Sequence, residues 1–184
     1  MARWLPGARG RLAAAALELA TERGYDQTTV ADIAARAGVT ERTYYRHFAD
    51  KREAFFGGSD TLIEQLRQAI VQADAALPPV AAAAAGARAM AAQLTDVEHS
   101  RLRARVVASD DALRERELLK LASLSTAAAA ALRERGTAAL PAGLLGDAAV
   151  SAFARGIEQW LEEGGELTAH VDAAFAAIGA ALGG

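Results

Sequence analysis

Cysteine is absent from the 184 residues. Disulfides, thiolate metal sites, iron–sulfur clusters and cysteine nucleophiles are therefore excluded. Histidine is scarce, and His47, His99 and His170 stand too far apart to suggest a metal-ligand set. Aromatic residues make up only 5% of the chain, and β-branched residues are few, which disfavours strands. No apolar run reaches the roughly 18 residues of a membrane span. The opening segment MARWLPGARGRL carries arginines but no apolar stretch, unlike a secretory signal. These absences point to a cytoplasmic chain with no membrane association, no cofactor and no metal.

Alanine fills 49 positions, and arginine outnumbers lysine 18 to 2. Alanine is the best helix former, so the composition predicts an all-α fold of about nine helices. The net charge of −3 conceals an asymmetry: residues 1–52 sum to +3 and residues 53–184 to −6. A basic head on an acidic body fits a chain in which only the head meets a polyanion.

Residues 1–8 read as a flexible arm. Helical spacing begins at Arg9, with Leu12, Ala16, Leu19 and Ala20 on one face, and Gly24 ends the helix. Thr29-Val30-Ala31-Asp32 has the form of a capping box opening a second helix, which Gly38 closes. Thr40 opens a third, running to about His47. Asp50, with Glu53 three residues on, caps a fourth that continues to about Ala76, weakened at Gly57-Gly58 and stopped by Leu77-Pro78-Pro79. Further helices are expected over 80–94, 97–108 and 109–135. A loop follows at 136–143, then two strongly amphipathic helices separated by Gly164-Gly165.

A short helix, a glycine turn and a second short helix are the ingredients of a helix-turn-helix. Val30, Ile33, Ala34, Val39, Tyr44 and Phe48 would turn inward. Thr40, Glu41, Arg42, Thr43, Tyr45, Arg46 and His47 would face outward or sideways. The words Gly38-Val39, Tyr45-Arg46-His47-Phe48 and Lys51, within 9–56, resemble the DNA-binding domain of the TetR/AcrR family of transcriptional regulators. The resemblance implies a three-helix DNA-binding domain over 9–56 and a helical ligand-binding and dimerisation domain over 57–184. It assigns Thr28, Thr29, Thr40, Tyr45, His47 and Lys51 to phosphates. Glu41, Arg42, Thr43 and Arg46 would meet base edges, with Arg42 suited to guanine O6 and N7. Taken alone, Tyr45 also suits a packed aromatic and His47 a helix-end cap.

For the body the resemblance implies a homodimer formed by the last two helices, through Phe153, Ile157, Trp160, Val171, Phe175 and Ile178. The same stripes could instead pack within one subunit. It also implies an apolar pocket for a small-molecule effector, with Met90, Leu94, Leu102, Val106, Leu119, Leu124, Phe153 and Trp160 as candidate lining. Alanine-rich walls could leave space there or close it. Residues 101–121 resemble a subgroup that includes acyl-CoA-responsive regulators. The resulting expectation is a dimeric repressor released from a palindromic double-stranded DNA operator by a largely apolar ligand. An activator or a ligand-independent regulator fits the same residues. A small helical enzyme lacks the clustered acid, base and nucleophile it would need.

Overall fold

Helix is the only regular secondary structure among the described residues, 7–182 of a computed structural model. The expected arm therefore lies outside the described residues except for Gly7 and Ala8, and Ala8 already opens the first helix. In chain order the helices are α1 (Ala8–Arg23), α2 (Val30–Arg36), α3 (Glu41–His47), a 3-10 helix (Arg52–Phe56), α4 (Ser59–Gln72), α5 (Pro79–Ala91), α6 (Val97–Ala108), α7 (Asp111–Glu134), α8 (Ala139–Glu163) and α9 (Leu167–Leu182).

Three boundaries differ from the sequence expectation. The fourth helix is split: Asp50 caps a 3-10 turn, and Gly57-Gly58 separates it from α4. α4 then stops at Gln72, where Arg135 donates to the carbonyls of Val71, Ala73 and Asp74. The loop after α7 is short, because Pro141 sits in the first turn of α8. A first-turn N–H has no intrahelical acceptor, so proline sacrifices no bond there.

The chain divides into two compact units, at other boundaries than the expected cut at residue 57. The first joins the segment up to Ser59 with Glu98–Leu118; the second joins Asp60–Val97 with the chain from Leu119 onward. In the first unit α1 packs against α2, α3 and the 3-10 helix. Its core holds Leu12, Ala16, Ile33, Tyr44, Phe48, Phe55 and Phe56, and Val106, Val107 and Leu113 complete it from α6 and α7. That is the physical reason for the boundary: three helices of this length cannot cover their own aromatic residues.

The second unit is built on close approach. α8 runs along α9, and α5 packs on both. A Cβ on Gly156 would stand 2.8 Å from Val171 Cγ2 and 3.1 Å from its backbone nitrogen. One on Gly146 would meet the Ser125 carbonyl oxygen at 2.8 Å. Alanines 82, 83, 87, 128, 142 and 149 are fully buried around Met90, Phe153 and Trp160.

A fragment ending at Ser59 loses Val106, Val107 and Leu113 and leaves Phe55 and Phe56 uncovered. It should show no cooperative thermal transition by circular dichroism under conditions where the full chain melts sharply. A sharp melt of the fragment would mean that the N-terminal segment closes its own core.

Candidate nucleic-acid interface

α2 begins with a complete capping box. The Asp32 N–H donates to Thr29 Oγ1 at 3.2 Å, and the Thr29 N–H donates back to Asp32 Oδ2 at 3.2 Å. The Thr29 hydroxyl adds a bond of 2.5 Å to the same carboxylate. This bond, reinforced by Arg23, holds the Asp32 carboxyl below its ordinary range. α2 ends in a Schellman motif: Val39 N–H donates to Ala34 O at 2.9 Å and Gly38 N–H to Ala35 O at 3.1 Å. Gly38 has φ +69°, a conformation that favours glycine. Thr40 caps α3, accepting from Thr43 N–H at 3.2 Å, and the two hydroxyls also meet at 3.2 Å.

Two ion-pair sets hold α2 on α1, the Arg23–Asp32 pair already described and one centred on Arg36. Arg36 grips Glu22 with two bonds of 2.9 Å and reaches Glu18 at 3.4 Å. This holds the Glu22 carboxyl below its usual range. Arg11 donates to the Ala37 carbonyl at 3.3 Å, and Arg9 lies 5.1 Å from the centre of the Phe48 ring. Nothing in the sequence pattern assigned these arginines to the packing of the head, because their partners are 14 to 39 residues away.

On α3 the inward set is as expected. Tyr44 and Phe48 are buried, as are Ile33 and Ala34 on α2, with Val30 and Val39 half-covered. Thr40, Glu41, Arg42, Tyr45 and Arg46 are exposed, Tyr45 at 56%. Thr43 and His47 are half-buried, and His47 Nε2 is buried with no hydrogen-bond partner among the described residues.

Two residues expected at phosphates are used inside the protein. Thr28 is 1% exposed, and its hydroxyl donates to Gly24 O while its N–H donates to Tyr25 O. It has nothing left to offer a phosphate. The Lys51 ammonium donates to Tyr25 O at 2.9 Å and lies 3.8 Å from the centre of the Tyr25 ring. Partial burial holds its pKa below the ordinary lysine value. Burial likewise pushes Tyr25 up to about 12, with Asp110 adding to the rise.

The expected pocket and dimer residues are also placed differently. Met90, Leu124, Phe153 and Trp160 fill the core of the second unit, with Leu94 at its edge. Leu102 and Val106 pack in the first unit, and Leu119 is 52% exposed. The eight residues are thus divided between the two units. Phe153, Trp160 and Val171 are at most 2% exposed within a single chain, so they are core and not surface. Ile157, Phe175 and Ile178 are half-buried. The outer side of α8 and α9 instead carries a groove of about 470 Å³, lined by Ser151, Arg155, Gln159, Ala173, Ala177 and Ile178 among others. The sequence signal for this face was its run of alanines, which reads equally as helix propensity.

The fold and this geometry define a helix-turn-helix protein with a second, separate helical unit. Residues 12–56 match the model of the bacterial regulatory proteins of the tetR family. It is 34% identical over 90 residues to the HTH-type transcriptional regulator TcmR of Streptomyces glaucescens, across 49% of this chain and 40% of that one. It is 38% identical over 66 residues to the HTH-type transcriptional activator FasR of Mycolicibacterium smegmatis, across 34% and 30%. The chain thus spans less than half the length of these relatives. Its fold is similar to that of FadR from Bacillus subtilis in complex with stearoyl-CoA, with TM-score 0.59, 21% identity, and coverage of 90% of this chain and 95% of that one.

The turn after α3 supplies a pH-dependent test. Asp50 bonds the Arg52 guanidinium at 2.9 Å and accepts from the backbone N–H groups of Arg52 and Glu53. The Arg52 bond is the main reason its carboxyl lies below the usual range. The stability it contributes is present at neutral pH and is lost as pH falls below about 4, through the depressed titration. Asp50→Ala should cost about 1 kcal/mol at pH 7, the worth of a cap, and the gap to wild type should narrow in urea melts at pH 3. An equal gap at both pH values would contradict a charged cap.

Proposed function

We propose that the chain is a homodimeric, operator-binding transcriptional regulator that represses and is released by a small, largely apolar molecule. The observation that carries the reading is the outer face of α3. Glu41, Arg42, Tyr45 and Arg46 project from a helix whose opposite side is held by Tyr44 and Phe48. A helix so anchored fits the major groove, about 12 Å wide. Arg42 suits a bidentate contact to guanine, with Glu41, Thr43 and Arg46 beside it. Thr40, Tyr45 and His47 suit phosphates and set register. Lys51 adds charge at the edge of this surface while it holds Tyr25.

Dimerisation is supported by the α8–α9 groove, whose alanines permit close helix packing. A palindromic operator asks for two recognition helices about 34 Å apart, and a second copy seated on this groove would supply the pair. The effector reading draws on the resemblance of residues 101–121 and on the acyl-CoA complex of a protein with the same fold. Because the interior of the second unit is filled by Met90, Leu124, Phe153 and Trp160, such a ligand would have to displace core side chains. An activator is the second reading, favoured by the match to a relative described as one.

Fluorescence anisotropy with duplexes from the upstream intergenic DNA, over a salt series, tests the main reading. Wild type should bind selectively and with strong salt dependence. Arg42→Ala should lose about 1–3 kcal/mol and relax specificity at one position, and Arg46→Ala should lose less. A long-chain acyl-CoA added to the complex should lower the anisotropy. Equal, weak binding to every duplex by all three proteins would remove the operator reading.

Ala177→Arg places a charge in the α8–α9 groove. Sedimentation should then show monomer, and operator affinity should fall about a hundredfold or more, comparable to a coupling of about 3 kcal/mol. A dimer that survives this change would locate the interface elsewhere.

A further inference from the structure

The recognition helix is tied to α6 and α7 through one short segment, residues 50–56. From one side the Tyr44 hydroxyl of α3 donates to Asp50 O at 3.0 Å and Lys51 O at 3.3 Å. From the other side two arginines grip the 3-10 helix. Arg103 of α6 donates through Nε to Phe55 O at 3.0 Å and through Nη1 to Glu117 at 3.0 Å, with its guanidinium 5.0 Å from the centre of the Phe56 ring. Arg116 of α7 pairs with Glu53, whose side chain is only 17% exposed. Phe55 in turn packs edge-on against Tyr25 at 5.5 Å, and Tyr25 holds Lys51. All of these groups belong to the first compact unit.

Arg103 does three things that demand a planar fork. It satisfies a carbonyl at the end of a 3-10 turn, meets a carboxylate and covers an aromatic face. A lysine ammonium cannot do all three at once. The contacts fix Phe55 and Phe56, and through residues 50–52 the angle of α3 relative to α6 and the start of α7 within the first unit. In a two-headed DNA-binding protein that angle is a functional quantity. Moving a half-site by one base pair shifts it about 3.4 Å along the axis and turns it by about a tenth of a turn.

We propose that Arg103, with Glu117, is a positioning residue that fixes the half-site spacing the protein accepts. It touches no DNA. It acts by holding the 3-10 helix so that each recognition helix keeps one orientation. The inference rests on the operator-binding dimer proposed above.

The experiment uses the full chain and an operator drawn by selection from a random-sequence duplex pool. That operator is rebuilt with its half-sites one and two base pairs closer or farther apart. Wild type should discriminate against a one-base-pair change by about tenfold or more, and Arg103→Met should cut that ratio about fivefold while affinity at the best spacing falls less. Arg103→Lys should fall between the two, and Glu117→Gln should relax the ratio more weakly. A role in stability alone would lower affinity at every spacing together and leave the ratio unchanged.

A folded, dimeric Arg103→Met protein with the wild-type ratio overturns the inference and leaves the operator reading intact. If the Met variant fails to fold by circular dichroism, Glu117→Gln decides, and an unchanged ratio there overturns it equally. If wild type selects no sequence from the pool, the operator reading fails and this inference falls with it.

Discussion

The buried hydroxyl of Tyr44 is the constraint on which the head depends. A phenol fully removed from water must find an acceptor, and α3 has none to give. It finds Asp50 O and Lys51 O, so the chain has to turn back beneath α3 as soon as that helix ends. Burial raises the Tyr44 pKa well above the ordinary value, and the Asp50 charge adds to the rise, which keeps the group a donor. From this requirement follow the Asp50 cap, the tight 3-10 turn and the placement of Phe55 and Phe56. Those two aromatics need cover, and α6 and α7 supply it with Val106, Val107 and Leu113. The outer face of α3 is free to carry polar groups because its inner face is settled in this way.

The second unit solves a different problem. With little aromatic material, it gains cohesion by bringing helix backbones close together. Gly146 and Gly156 sit where any side chain would collide with the neighbouring helix, and buried alanines let α5, α8 and α9 approach. The few large side chains, Met90, Phe153 and Trp160, then fill what space is left. Even the polar atom of Trp160 is used locally, its Nε1 donating to Gly165 O at 2.9 Å in the turn to α9. The groove on the outer side of α8 and α9 sets alanines beside Ser151, Arg155 and Gln159.

The head was largely legible in the sequence. Thr29 and Asp32, Gly38 and Val39, Thr40 and Asp50 are local signals: each acts on backbone groups two to five residues away, so spacing alone reveals it. The outward and inward sets of α3 follow from the same helical period. Long-range partners were not legible. Lys51 and Thr28 look like ordinary polar residues near a DNA-binding surface, yet contacts across the α1–α2 connection turn both inward. Arg9, Arg11 and Arg36 gave no local sign that they hold the helices together.

The body was legible as helices but not as a surface. A stripe such as Phe153, Ile157 and Trp160 has the same period whether it meets its own subunit or a partner, and the expected pocket residues shared that ambiguity. By itself the sequence determined the all-helical class, most helix boundaries, the caps and the helix-turn-helix, since propensity, capping and period are properties of neighbours in the chain. Only the tertiary structure decided that α6 and the start of α7 complete the head, that Phe153, Trp160 and Val171 are core, and that Ser151, Arg155 and Gln159 share the outer groove of α8 and α9 with alanines. Which of two apolar faces is buried depends on volumes and contacts between residues far apart in the chain, and no local pattern carries that information.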